Sequence, residues 1–528
     1  MSIEAVHPAT YSEEVHALIA EKDAEIARLS AHLKVLQEQL NLLTAKRFGP
    51  SSEKAHPDQI RLFNEAELEA VAPLEDEEQA TIEIPAHRRR AGGRKPLPPQ
   101  LPRIEVVHDL GDEEKICPHD GATLRAIGEE ISEQLDIEPA KVRVIRHVRR
   151  KYACPHCQQG VKTAALPPQP IPKSLASPGL AAHITVGRYQ DGLPLYRQEK
   201  ILQRIGMEIS RATLAFWMIQ LGRLVQPLMN LLRDQMLAYD VLHMDETTVQ
   251  VLKEPGKTAQ SKSYLWVQRG GPPEQPIILF DYDPSRSQTV PLRLLEGYQG
   301  YLQVDGYEGY NAIGSQPGIQ LVGCMAHARR KFDEALKAQG KTHQRDPIRM
   351  GNAQQGLHYI QALYQIEREL KTATPEQRNR VRQEKAKPLL ATIRTWLDTV
   401  LPAVPPESLT GKALYYLHHQ WPKLIRYLED GRLSIDNNAV ENAIRPFVMG
   451  RKAWLFCDTV HGAKSSANLY GLIETSKACG HEPYYYLRHL FTELPKAKSL
   501  ADIETLLPFN LKPARLADRL PSRYHAVA

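Results

Sequence analysis

AYDVLHMDETTVQVL, residues 238–252, alternates apolar and polar side chains through a run rich in β-branched residues, the pattern of a half-buried strand. Two further strand patterns follow across short turns, KSYLWVQRG (262–270) and PIILFDYD (276–283). GYLQVDGYEGYNAI (300–313) and IQLVGCMAHARRKF (319–332) then each read as a strand followed by a helix. Three antiparallel strands followed by alternating strand and helix is the order of a ribonuclease-H-like mixed sheet, so a multidomain α/β protein is expected. In that topology the first and fourth strands are neighbours. Asp245 lies on the first, and Asp305 closes the apolar stretch Tyr301–Val304 of the fourth, so the two carboxylates would stand side by side. Buried like charges repel strongly and need a cation between them. Hard oxygen ligands at an open site suit magnesium or manganese. Each acid has rivals. Asp240 and Glu246 should face away from Asp245, and Asp281 and Asp283 sit at a strand end, where turn-forming acids are common.

Downstream, SIDNNAVENAIRPFVMGRKAW (434–454) holds one acid, Glu441, after its opening aspartate. Val440, Ala443, Ile444 and Phe447 fall at i, i+3, i+4 and i+7, a buried helical stripe, and Asn438, Glu441, Asn442 and Arg445 share the opposite face. Pro446 should end or kink this helix, leaving Arg451 and Lys452 beyond it. Taken alone, the stretch reads as a surface helix with an ordinary i,i+4 Glu–Arg pair. Between the two halves, residues 331–430 read as helices throughout.

The rest of the chain widens the picture. Its 528 residues and 42% hydrophobic content predict several globular domains. No run approaches the ~18–20 apolar residues that span a bilayer, and MSIEAVHPATYSEE lacks a secretory pattern, so a cytoplasmic protein with no membrane partner is expected. The net charge of +5 is unevenly spread, with dense cation in HRRRAGGRK (87–95) and KVRVIRHVRRK (141–151), which points to a polyanionic partner. Residues 12–46 carry Ile19, Ile26, Leu33 and Leu40 every seventh position, with Leu29, Leu36 and Leu43 offset by three. Such heptads predict a parallel coiled-coil pair, weakened at the opening d position by Lys22. A linker follows, acidic and then rich in proline and basic residues (Arg88, Arg89, Arg90, Arg94, Lys95), able to lie along a phosphate backbone. Cys154 and Cys157 form a zinc-knuckle half, and CPHDG offers Cys117 with Asp120, or alternatively His119, to complete a structural Zn2+ site. The six cysteines are too few for a disulfide scaffold. Ser177 and Pro178 open a helical stretch, and LYRQEKILQRIG followed by Ser210 capping RATLAFWMIQLGRLV has a helix-turn-helix outline, with Arg211 and Thr213 placed to meet DNA. The expected organisation is therefore a coiled-coil region (1–64), linker (65–104), zinc-finger-like module (105–165) and helix-turn-helix-like module (166–235). A split catalytic core (236–330 and 431–480) around a helical insertion (331–430), and a C-terminal helical tail (481–528), complete it.

HMDETTVQVL, LQVDGYEGYNAI, CMAHARRKF and SIDNNAVENAIRPFVMGRKAW resemble the motifs of insertion-sequence-66 family transposases. The resemblance continues through KRFG and SSEK, the GRKPLP linker, KYACPHC and HEPYYYLRHLFTELP (481–495), nearly the whole chain. It implies a DDE transposase, with Asp245, Asp305 and Glu441 binding two Mg2+ or Mn2+ ions on a ribonuclease-H-like fold carrying an all-helical insertion. It also implies cleavage of element ends and transfer of 3′-hydroxyl strands to target DNA, with terminal inverted repeats as partner. A dimer or higher oligomer, accessory transposition proteins and a bacterial, nucleoid-associated location are further implications. His327, Arg329, Arg330, Arg445, Arg451 and Lys452 are candidates to hold phosphates near the metals. CPHDG departs from the family pattern and leaves the fourth zinc ligand open. The competing readings are a catalytically inactive DNA-binding regulator and a structure-specific nuclease that cuts without joining.

Overall fold

A computed structural model of the chain describes residues 13–48, 144–152, 162–338 and 351–513. The zinc-ligand candidates Cys117, His119, Asp120, Cys154 and Cys157 lie outside the described residues, as do Arg88, Arg89, Arg90, Arg94 and Lys95 of the linker. One compact unit comprises Met1–Val71 with Lys151–Ala528, and a second comprises Ala72–Arg150. Among the described residues no helix is long and apolar enough to cross a membrane.

The centre of the larger unit is a mixed sheet. Its strands are β1 (Val241–Lys253), β2 (Lys262–Gly270), β3 (Ile277–Asp283), β4 (Gly300–Gln303), β5 (Ile319–Val322) and β6 (Cys457–Thr459). The order is β3-β2-β1-β4-β5, with β1–β2–β3 antiparallel and β4 and β5 parallel to β1. The first and fourth strands are therefore neighbours, as the sequence predicts. β6, which the sequence does not announce, pairs in parallel with the far end of β1 through Val251↔Cys457 and Lys253↔Thr459. Central positions such as Trp266, Val267, Leu265 and Phe280 are buried on both faces, which explains the near-continuous apolar runs of β2 and β3.

Helices α2 (Pro178–Tyr189), α3 (Leu195–Arg204), α4 (Arg211–Leu224) and α5 (Gln226–Leu237) precede the sheet. Ser177 and Ser210 cap α2 and α4 by accepting from Leu180 N and Thr213 N. These helices share one hydrophobic core with the sheet: Leu214, Trp217, Met218 and Leu221 of α4 are buried in it. Arg211 accordingly starts a helix whose opposite face is core, and its amide donates to Glu199 of α3 at 3.0 Å.

A second core belongs to the insertion. It joins α6 (Met325–Ala338), α7 (Asn352–Glu369), α8 (Lys387–Val400) and α9 (Leu409–Leu424) through Phe332, Ile360, Leu363, Ile393, Leu397, Leu414 and Leu417. The helix after β5 thus packs with the insertion. Arg382 is 1% exposed and acts as its polar hub, paired with both oxygens of Glu367 and donating to the carbonyls of Tyr427, Asp430 and Leu433.

Helix α1 (Glu13–Phe48) is continuous, in agreement with the heptad reading of a long helix. Its half-buried side, with Val35, Glu38, Asn41 and Leu42, rests on α6 and α9: Asn41 donates to Ala338 O and Glu38 accepts from Leu409 N. The heptad residues Ile19, Ile26, Leu29, Leu33, Leu36, Leu40 and Leu43 are exposed along its other side.

The chain returns to the sheet through α10 (Asn438–Trp454), then α11 (Val460–Ala478) and α12 (Pro483–Glu493). Here the expectation that Pro446 ends the helix is corrected. Pro446 neither ends nor breaks α10, which runs on for eight residues and places Arg451 and Lys452 in its last turn. An interior proline costs a helix ~3 kcal/mol. Phe447 and Trp454 beyond it are buried, each contributing ~1.5–3 kcal/mol, so packing outweighs the local penalty.

Candidate active site

The β1–β4 register pairs Val241 with Tyr301, Leu242 with Leu302 and His243 with Gln303. Continued by two residues, it sets Asp245 opposite Asp305 beyond the end of β4. Glu441 reaches the same place from the first turn of α10. Burial, followed by the charges of Glu246, Asp305 and Glu441, holds the Asp245 carboxyl well above the usual carboxylate range. Glu441 is also raised, first by burial, with Asp436 and Asp305 adding to the rise and Arg330 and Arg445 opposing it. The three acids that the sequence singles out therefore share one electrostatic site.

The four rivals each have an arginine partner, although Glu246 remains close enough for its charge to act on Asp245. Asp240 pairs with Arg432 at 2.6 Å, Glu246 with Arg286 at 2.5 Å, Asp281 with Arg233 at 2.6 Å and Asp283 with Arg293 at 2.8 Å. Glu246 has a structural task, which the sequence reading passed over. Its buried carboxylate accepts from Tyr310 at 2.6 Å, while Arg286 lies 3.9 Å over the Tyr307 ring and accepts from the Tyr307 hydroxyl through its carbonyl. Both tyrosines belong to the turn after Asp305, and Asp305 itself accepts from Tyr307 N at 2.8 Å. The turn carrying one acid is thereby braced on the residue following the other. From the insertion, Tyr416 of α9 closes over Gly306: a Cβ there would sit 2.6 Å from the ring and would have to push it aside. The charges of Asp305 and Arg330 both act on the Tyr416 hydroxyl.

Glu441 is positioned by the residues just before its helix. β1 bonds β4 at its start and β6 at its end, and between them no strand of the described residues lies on that edge. Backbone carbonyls left there need other donors. Asn437, fully buried, supplies one: its Nδ2 donates to Met244 O at 3.0 Å, and its Oδ1 lies 3.0 Å from His243 Nδ1. Burial, then the Arg269 guanidinium, lowers His243 to about 4, so the ring is neutral near pH 7 and donates from Nδ1 to Asn437. Arg451 supplies the other, with its guanidinium on the carbonyl and hydroxyl of Thr248. Arg451, a candidate phosphate ligand by sequence, is turned to β1 instead. Arg269 of β2 adds a bond to Ala439 O at 2.8 Å. Asp436 accepts from Tyr364 of the insertion at 2.8 Å and from Asn438. The Asp-Asn-Asn run is thus a knot joining sheet, insertion and α10. Three polar residues in a row, flanked by buried Ile435 and Val440, were its signal in the sequence.

The remaining cation candidates divide. His327 Nδ1 lies 3.9 Å from Glu441 Oε1, and the ring is held below its ordinary value by burial and by Arg330. Arg330 and Arg445 both act on Glu441. Arg329 acts on Tyr364, the partner of Asp436. Lys452 is exposed on α10, one residue beyond Arg451.

This donor set fits hard divalent cations. Repulsion and burial oppose ionisation of Asp245 and Glu441, and buried Glu441 Oε1 has no hydrogen-bond partner. A cation placed among the acids would relieve both.

Comparison with known proteins agrees with this architecture. The family model described as "Transposase IS66 family" matches residues 173–465, and that described as "IS66 C-terminal element" matches 471–509. The "zinc-finger binding domain of transposase IS66" matches residues 114–158, and "Transposase C of IS166 homeodomain" matches 35–106. Among related chains, the uncharacterized protein y4qI of Sinorhizobium fredii is 33% identical over 94% of both chains. The uncharacterized protein y4jD of the same organism is 32% identical over 79% of this chain and 81% of its own length. With matched domains running in order from the long N-terminal helix to the C-terminal element, the chain belongs to the IS66 transposase family.

Proposed function

We propose that this transposase-family chain is an active DDE enzyme on a ribonuclease-H-like core. Asp245, Asp305 and Glu441 hold two Mg2+ or Mn2+ ions for cutting element ends and joining their 3′-hydroxyls to target DNA. The observation that carries the reading is a contrast. Three acids from β1, the end of β4 and α10 share one site, whereas Asp240, Glu246, Asp281 and Asp283 each have an arginine. The strand order β3-β2-β1-β4-β5 is the further support for the ribonuclease-H-like assignment. Divalent ions bound there supply Lewis-acid stabilisation of the attacking and leaving oxygens at phosphorus. The chain's own part is to fix the three carboxylates: Asn437 and Arg451 dock α10 on β1, and Glu246 with Tyr307 and Tyr310 braces the Asp305 turn. Arg330, Arg445 and Lys452 are the cations proposed to meet DNA phosphates, with Arg suited to bidentate contact.

The exposed heptad face of α1 supports pairing with a second copy, as a machine that brings two element ends together requires. The zinc-finger match over residues 114–158 includes Cys117, Cys154 and Cys157 and supports a structural Zn2+ there.

The test uses the element's own terminal DNA with Mg2+. Asp245→Asn, Asp305→Asn and Glu441→Gln should each abolish strand cleavage while leaving end binding close to wild type. Near-normal strand transfer by any of the three would remove that residue from the triad. Cleavage by the wild type without joined product would replace transposition with nuclease action.

A further inference from the structure

Beside the proposed catalytic acids lies a second donor set of different chemistry. Cys324, His327 and Glu441 each offer one ligand atom, and these atoms lie within 4.8 Å of one another. We infer that these three residues form a binding site for a soft divalent cation, Zn2+ in the first instance, that borrows Glu441 from the proposed catalytic set.

The three donors arrive by separate routes. Cys324 ends the connection after β5 and immediately precedes α6; burial, then the charges of Glu441 and Asp436, push its thiol up, so a bound ion must displace that proton. Its sulfur already accepts a backbone bond from Asn437 N at 3.2 Å. His327 is three residues on, so it projects from the first turn of α6 back beside Cys324, the spacing of a metal-binding Cys-x-x-His. Glu441 comes from α10, which Asn437 fixes to β1. Two of the donor atoms, His327 Nδ1 and Glu441 Oε1, are buried without a hydrogen-bond partner and stand 3.9 Å apart.

Sulfur, imidazole and one carboxylate together suit zinc or cobalt and not magnesium, which takes oxygen ligands. Tetrahedral Zn2+ with Zn–N and Zn–S bonds of about 2.0–2.3 Å spaces its ligand atoms roughly 3.3–3.8 Å apart, so a contraction of about 1 Å closes the set. The side chains of His327 and Glu441 are 22% and 28% exposed, which leaves water able to take the fourth position. On binding, the Cys324 sulfhydryl proton is released to solvent and the thiolate takes its place on the metal.

Because Glu441 cannot serve both sites at once, zinc here competes with the proposed magnesium site. That consequence, unlike the binding itself, rests on the proposed catalytic role of Glu441. The prediction is a zinc-inhibited enzyme.

The experiment uses full-length protein, stripped with chelator and titrated with Co2+, whose thiolate charge-transfer absorption reports sulfur ligation directly. Cys324→Ser should lose part of that absorption, and Cys154→Ser a separate part belonging to the zinc-finger region. Glu441→Gln and His327→Gln should each weaken Co2+ binding by roughly tenfold or more, since losing even a supporting partner of a ligand costs about that much. His327→Gln, at a partly exposed position, carries the test if Cys324→Ser fails to fold by circular dichroism. Spectra and affinities of Cys324→Ser or His327→Gln equal to wild type would overturn the site. In a second arm, the Zn2+ concentration that halves Mg2+-dependent cleavage, each protein referred to its own zinc-free rate, should rise roughly tenfold in Cys324→Ser. An unchanged value would overturn the competition while the cobalt result stands. A wild type that never cleaves would overturn the catalytic reading alone.

Discussion

Replacing Asn437 by alanine removes two interactions at once from a position with no solvent access. Met244 O loses its donor and His243 Nδ1 its acceptor, both at 3.0 Å in the native protein. Met244 and Asn437 are buried, His243 is half-buried, and among the described residues no strand on that edge of β1 offers the Met244 carbonyl another donor. A buried polar group left unsatisfied costs about 1–3 kcal/mol, so the pair should cost about 2–4 kcal/mol after partial relaxation. At ~1.4 kcal/mol per factor of ten, that is roughly a 30- to 1000-fold rise in the local opening equilibrium. Hydrogen–deuterium exchange reads it directly: amides of α10 from Val440 to Ile444, and of β1 near Met244, should exchange faster by that factor. Amides within α7 and α8, in the insertion's own core, should move far less. Asn437→Asp is the sharper companion. It keeps an acceptor for His243 but offers Met244 O no donor and brings a further negative charge beside the acids. At neutral pH it should open α10 at least as much as alanine does. If exchange in α10 changed by less than about threefold in the alanine variant, the docking role assigned to Asn437 would be refuted.

Two further outcomes concern Glu246 and the metal-free acids. Glu246→Gln keeps an acceptor for Tyr310 but takes the carboxylate from Arg286; with Arg286 42% exposed and able to turn to solvent, the loss should be about 1–2 kcal/mol, read as a lower Tm. That variant should still cleave DNA at saturating Mg2+, and a folded but cleavage-dead Glu246→Gln would move Glu246 into the metal set. Without metal, Asp245 and Glu441 have folded pKa values above their unfolded ones, chiefly through burial. The folded state then holds more protons, so this contribution is complete below about pH 4 and is lost as pH rises through the raised folded values. Metal-free Asp245→Asn should therefore melt above metal-free wild type at neutral pH, with the difference shrinking as pH falls through the raised folded value towards about 4. A metal-free Asp245→Asn protein melting below wild type at neutral pH would contradict this.

How far the sequence could be read depended on the range of the forces involved. β1 to β5 were legible because their signals are local: β-branched residues at period two, bounded by turns. Their order placed Asp245 next to Asp305 before any coordinates. β6 was not legible, because three residues, Cys457–Thr459, form a strand only through pairing with the distant end of β1. Pro446 misleads for the same reason, since its penalty is local and the burial of Phe447 and Trp454 that overrides it is not. Arg451 looked like a free cation at a helix end, yet the uncovered carbonyl of Thr248 claims it. Tyr416 could not have been placed at all, because nothing in the sequence of α9 says which turn it will meet. Asn437 was within reach: a polar run between buried apolar residues asks where its hydrogen bonds go.

Glu441 tests the reading of an ordinary helix-surface ion pair most directly. Were it such a pair, Arg445 one turn on would be its main partner. Instead burial dominates its surroundings, and Arg330 of α6, Asp436 and Asp305 each act on it more strongly than Arg445 does. Its Oε1 is buried without a donor, a state that costs about 1–3 kcal/mol in a neutral setting and more for a charge. Arginines were not out of reach for this fold, which sets one against each of four other acids on or beside the same strands. A carboxylate whose Oε1 is buried without a donor, raised by burial and by two further acids despite Arg330 and Arg445, would gain from a cation placed among the three proposed catalytic acids. That asymmetry supports the proposed metal-binding role of Glu441, and with it the use of the helical knot at Asn437 to hold the last ligand against the sheet.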